Sequence, residues 1–124
     1  MSRPRTLVGC LLGLAGTACA SLHVGESEPG VARATLIADP AFNAGLPVTV
    51  VLRKVDSVAA GPFESRASLS PGPHRVIVDC AVAGTPAKAR FVLDMDAEPG
   101  ARYRLDAALA PGNQHCDDVR ITPH

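Results

Sequence analysis

The sequence predicts an all-β domain: a small antiparallel β-sandwich of about seven strands after an N-terminal signal peptide. Three observations carry that prediction. From Val31 onward, apolar and polar residues alternate with a period of two rather than 3.6. Pro-Gly recurs at Pro29-Gly30, Pro71-Gly72, Pro99-Gly100 and Pro111-Gly112, where proline sets φ at the second turn position and glycine supplies the positive φ of the third. No window of useful length carries the apolar stripe of a helix, and residues 39–45 have room for one short turn only. Short strands separated by such turns argue a sandwich, with an open barrel as the alternative architecture.

Taken in order, the strand candidates are residues 31–38, 48–55, 63–69, 74–81, 89–96, 102–109 and 118–122. In the fourth, Val76, Val78 and Cys80 share one face, and Arg75 and Asp79 share the other. In the fifth, Phe91, Leu93 and Met95 oppose Arg90, Asp94 and Asp96. In the sixth, Tyr103, Leu105, Ala107 and Leu109 alternate with Arg102, Arg104 and Asp106. Such alternation belongs to antiparallel sheets with one face in water.

Composition narrows the function. A chain of 124 residues is room for one domain, and 47% hydrophobic content with 19% charged residues is too apolar for a disordered chain. Twelve basic and twelve acidic side chains give a net charge of 0, which excludes a nucleic-acid partner held by a basic face. Aromatics make up 3% and tryptophan is absent, so the core is expected to be valine, leucine and alanine.

Residues 1–18 read as a signal peptide. Arg3 and Arg5 form a positive n-region, and residues 7–18 form an uncharged apolar stretch too short to span a bilayer. Two cleavage sites compete. Gly16-Thr17-Ala18-Cys19 resembles a bacterial lipobox, which implies cleavage before Cys19 and a lipid anchor on that residue. Ala18-Cys19-Ala20 also fits cleavage after Ala20, which gives a soluble periplasmic or secreted chain beginning at Ser21. Loss of Arg3 and Arg5 leaves ten basic and twelve acidic residues, a net charge of −2. Residues 19–30, polar and rich in Gly and Glu, read as a tether ahead of a domain at 31–124. Ala20 after Cys19, with no Asp there, resembles the sorting pattern of outer-membrane lipoproteins that face the periplasm.

Export puts Cys80 and Cys116 in an oxidising compartment, and a disulfide between them is expected to stabilise by roughly 3–4 kcal/mol. The competing reading is metal. His115-Cys116-Asp117-Asp118 bunches four potential ligands, with Cys80 and His74 as possible additions if the thiols are reduced. If the chain begins at Ser21, its amine, the next two amides and His23 form a square-planar nitrogen set suited to Cu(II) or Ni(II). Asp94-x-Asp96-x-Glu98 spaces carboxylates like the start of a calcium loop, but Pro99 stands where that loop needs glycine. Arg90, Arg102 and Arg104 offer either a basic patch or cross-strand ion pairs, and Phe42 and Phe63 either core packing or partner anchors.

Nothing in the sequence carries catalysis: G-x-S-x-G, H-E-x-x-H and a glycine-rich phosphate loop are all missing. The chain is expected to be no enzyme and to need no cofactor.

Leu69-Ser70-Pro71-Gly72-Pro73-His74-Arg75-Val76-Ile77-Val78 resembles the L-x-P-G-x-H-x-V-x-V hairpin of PEGA-type and related carbohydrate-associated, transthyretin-like sandwich modules. Glu98-Pro99-Gly100-Ala101-Arg102-Tyr103-Arg104-Leu105 resembles the x-x-G-x-x-Y-x-L hairpin of small proteobacterial envelope lipoproteins. The resemblance covers residues 63–110. It implies a cell-envelope accessory module with an envelope protein or glycan partner, and carries over no catalytic residue. The alternative function is a periplasmic metal or small-ligand binder.

Overall fold

In a computed structural model the structure describes residues 21–39, 45–61, 64–86, 88–112 and 115–124. The described residues form an all-β, sandwich-like fold of two sheets. Its strands are β1 (Ser21–Val24), β2 (Ala34–Ile37), β3 (Val48–Val55), β4 (Val58–Ala59), β5 (Arg66–Leu69), β6 (Gly72–Val82), β7 (Lys88–Ala97), β8 (Arg102–Leu109) and β9 (Cys116–Pro123). One sheet runs β1-β5-β2-β8-β9 and the other β4-β3-β6-β7. Among the described residues, no helix is long and apolar enough to cross a membrane. The signal peptide, Cys19, both cleavage sites, Phe42, Phe63 and most of the short turn at 39–45 lie outside the described residues.

Two expectations are corrected. The sheets are not purely antiparallel, because β1 pairs with β5 and β2 with β8 in parallel. Hairpin spacing specifies antiparallel neighbours, whereas these parallel pairs come from strands distant in sequence. Nor is the segment from Ser21 a tether: Ser21–Val24 form β1, with Leu22 and Val24 buried and Ser21 and His23 exposed. The alternation is there, but it spans four residues beside a polar stretch. Only packing on β5 gives it weight.

The two sheets bury one core. Leu36, Leu52, Val55, Leu69, Val76, Val78, Leu105 and Val119 lie almost wholly out of water, so valine and leucine fill the centre as composition implied. Two bulges tune the alternation. In β3, Leu52 and Val55 are both buried although three residues apart, and the register with β6 shifts between Leu52 and Lys54. In β9, Cys116 and Val119 repeat that spacing, with a shift opposite Ala108 and Leu109. An extra residue flips the parity of a strand, so both apolar residues reach the core. Arg53 is left outside on β3, and Asp117 and Asp118 are left off the inner face of β9.

Side chains lock the less regular parts. Arg33 donates from Nε to Ser68 Oγ (2.7 Å), from one terminal nitrogen to Val24 O (2.6 Å) and Ser68 O (2.9 Å), and from the other to Gly25 O (3.0 Å) and Ser27 Oγ (3.1 Å). One guanidinium thus ties the end of β1 to β5. Where the chain passes from β7 to β8, and so between sheets, Pro99-Gly100 makes the turn. Gly100 has φ +74° and Ala101 N donates to Glu98 O at 3.1 Å. Tyr103 Oη accepts from Glu98 N at 3.0 Å across the same corner.

Candidate functional site

The strand edges carry the most distinctive site. A sheet edge presents unpaired N–H and C=O groups, and proteins blunt such edges by shortening, bulging or proline. Three of the four edges here are blunted. β4 has two residues and β1 has four. β9 has eight, but it is bulged and closes on Pro123. β7 differs: it runs ten residues with no proline, and its register with β6 is unbroken from Gly72↔Ala97 to Ala81↔Lys88.

The outward side chains of β7 are Lys88, Arg90, Val92, Asp94 and Asp96, all exposed, and the inward ones from Ala89 to Met95 are half-buried. Val92, at 56% exposure, is the most exposed large hydrophobic side chain among the described residues. Charges on this face are ordered by cross-strand partners. Arg90 grips Asp79 through both carboxylate oxygens (Nε to Oδ1 2.9 Å, a terminal nitrogen to Oδ2 3.1 Å), and Arg53 adds a contact at 3.4 Å. The Arg90 hydrogen bonds, outweighing burial and helped by the charges of Arg53 and Lys88, hold the Asp79 carboxyl below its usual range. The same pair raises Arg90. Arg75 pairs with Asp94 at 3.1 Å. In the other sheet, Arg104 meets Asp106 and Arg120 meets Asp118. Arg90 therefore works in a cross-strand ion pair, the second of the two readings its sequence allowed, whereas Arg104 pairs with Asp106 along its own strand.

A second cluster lies at the β3–β4 hairpin, beside a shallow depression lined by Asp56, Pro73, His74, Arg75, Asp94 and Met95. His74, buried, presents Nε2 to Ser70 O (2.6 Å) and Nδ1 to Asp56 Oδ2 (2.7 Å). Both ring nitrogens thus lie within hydrogen-bond distance of oxygen atoms. Asp56 also accepts from Arg75 N at 2.9 Å and donates its own N–H to Arg75 O at 2.8 Å. Burial opposes its charge, but the Arg75 amide and His74 outweigh it and lower the Asp56 carboxyl. These bonds hold Asp56 at φ +55°, in a left-handed conformation that a non-glycine residue adopts at some cost. His74 engages both ring nitrogens within the hairpin.

The structure separates the other candidates. Cys80 and Cys116 form a disulfide, Cα–Cα 6.3 Å, that joins β6 of one sheet to β9 of the other. Beside it His115 and Asp117 are exposed, and Asp118 is taken up by Val119 N and Arg120. His23 sits on β1, the opposite edge of the five-stranded sheet from β9, four strand spacings or about 19 Å away. A square-planar set at Ser21-Leu22-His23 requires those residues to curl round one ion, whereas here they lie extended with Leu22 in the core. Asp94 and Asp96 point the same way along β7 at a spacing of about 7 Å, so they do not converge. Among the described residues, no three metal-ligating side chains come together.

Sequence reasoning missed Asp56 as the partner of His74, and the β7 edge. An Asp-Ser between two valine-rich runs is a turn signal that could have located the first. Edge status has no local signal. No family model, curated protein or solved structure matches the chain.

Proposed function

We propose that this chain is an exported cell-envelope lipoprotein, anchored in the outer membrane by lipid on Cys19, whose domain is a non-catalytic interaction module. Its working surface is the β7 edge, which takes an extended partner segment by strand addition. Main-chain bonds would supply affinity, and the alternating side chains specificity. The supporting observation is that β7 alone among the four edges is long, unbulged and free of proline. β1 begins two residues after Cys19, so a lipid there leaves little chain between bilayer and sheet. β7 packs over β9, at the opposite side of the sandwich from β1, and stays accessible. The PEGA-like resemblance of the β5–β6 hairpin accords with an accessory role in the envelope.

Two measurements test this. Intact mass of protein expressed from its native leader should show a membrane-bound species beginning at Cys19 with diacylglycerol and acyl mass. A soluble species beginning at Ser21 would overturn the anchor. A photo-reactive residue at position 92 should cross-link to a defined envelope component, while one at Asp117 on β9 should not. Equal labelling of the two edges would overturn the assignment to β7.

A further inference from the structure

We infer that the strand completing β7 is β7 of a second copy of this chain, paired antiparallel about a two-fold axis through Val92. This rests on the reading of β7 as an open edge. The argument is the order of charges on the outward face: Lys88, Arg90, Val92, Asp94, Asp96, all exposed and equally spaced. Antiparallel pairing about Val92 places each residue opposite the one equally far on the other side of that centre. Arg90 then faces Asp94 of the second copy, Lys88 faces Asp96, and Val92 faces its own counterpart. Both charged positions on either side of the centre meet the opposite sign, and the most exposed large apolar side chain is covered. Opposite charges placed directly across a strand pair stabilise it and like charges weaken it.

Other registers do worse. A shift of two residues sets Arg90 or Asp94 against Val92. Parallel pairing in register sets Lys88 on Lys88 and Asp96 on Asp96. On the inward face, the favoured register brings Phe91 opposite Leu93, two half-buried apolar side chains. Arg90 holds Asp79 and still keeps its side chain 58% exposed, while Asp94 is 74% exposed in its pair with Arg75. Both retain room for a partner across the edge. The contact is isologous and closed, as expected of a two-fold dimer. It joins two four-stranded sheets into one of eight strands and consumes the exposed edge in both copies.

The test uses the full chain, expressed from its native leader and purified in detergent, with the self-association constant measured by analytical ultracentrifugation. Lys88→Glu makes both outer pairs of the dimer negative on negative, and Asp96→Lys makes both positive on positive. Each variant alone should self-associate at least about tenfold more weakly than wild type. An equimolar mixture of the two should recover wild-type affinity, because the introduced charges then face each other. Both positions are exposed, so thermal unfolding and an intact Cys80–Cys116 bond confirm the fold of each variant. A monomeric wild type, variants that associate as wild type does, or a mixture that does not recover would each overturn the proposal. Amide exchange in the monomer separates its failure from that of the underlying reading. Rapid exchange of the amides of β7 that point away from β6 leaves the edge open and rejects only the second copy, whereas protection of those amides rejects the open edge as well.

Discussion

The Cys80–Cys116 bond is the covalent tie between the two sheets, and breaking it gives the sharpest test of what holds the sandwich together. The bond spans 36 residues. In the chain-entropy description, closing a loop of that length removes about 13 cal/mol/K from the unfolded ensemble, about 4 kcal/mol at 25 °C. A domain of this size has a total stability of about 5–15 kcal/mol, so the bond decides a large share of it. Reduction is the cleaner perturbation, because both sulfur atoms stay in a site where Cys80 is fully buried and Cys116 is 7% exposed. The double substitution Cys80→Ala/Cys116→Ala adds a packing loss on top. With no tryptophan and one tyrosine, the assay is urea unfolding followed by far-UV circular dichroism. Reduction should lower the unfolding free energy by about 4 kcal/mol and raise the denaturant slope, because an uncrosslinked unfolded chain exposes more surface. If fully reduced protein, verified by mass, unfolds within about 1 kcal/mol of the oxidised form, the reasoning fails. The core alone would then hold the sheets together.

Four further outcomes follow from the structure. Arg33→Ala, which deletes five hydrogen bonds between β1, β5 and the following loop, should cost about 2 kcal/mol and speed amide exchange in Ser21–Val24 before the rest of the fold. The Asp56 and Asp79 carboxyls both lie below their ordinary value of 3.8, so their stabilisation is complete above that pH and is lost as pH falls through the lowered values. Asp79→Asn should therefore be less stable at neutral pH and show a flatter loss of stability in acid titration. Gly100→Ala meets only ordinary contact, with Ala32 at 3.6 Å, so its cost is the positive φ alone, about 1 kcal/mol in thermal unfolding. Cu(II) added to a chain beginning at Ser21 should give no visible d–d band while β1 stays paired; a band with β1 still protected from exchange would refute that.

Much of the fold was legible before any coordinates. β3 and β8 occupy the predicted residues, 48–55 and 102–109, and β6, β7 and β9 extend theirs by one or two residues at each end. β5 and β2 are shorter than expected: β2 starts at Ala34, after Arg33 has turned inward to clamp β1. Pro29-Gly30 and Pro99-Gly100 close turns with positive-φ glycines and hydrogen bonds to Glu28 O and Glu98 O, as their sequence required. The candidate site was less legible. Histidine attracted notice as a ligand, yet His74 is a fastener of the β3–β4 hairpin. Its partner Asp56 lies 18 residues away, a separation no local pattern encodes.

By itself the sequence determined what is local: which stretches are extended, which side chains share a face, where the chain turns, and that Cys80 and Cys116 were available to pair. These follow from backbone preferences and the two-residue period of a strand, which each segment carries within itself. Only the tertiary structure decided which strands are neighbours. It set β1 parallel to β5 and β2 parallel to β8, turned two alternation faults into bulges, and left β7 as the long unbulged edge among the described residues. Neighbour choice is a competition among all the strands for one shared core, settled by the packing of residues far apart in the chain. No single segment contains that outcome.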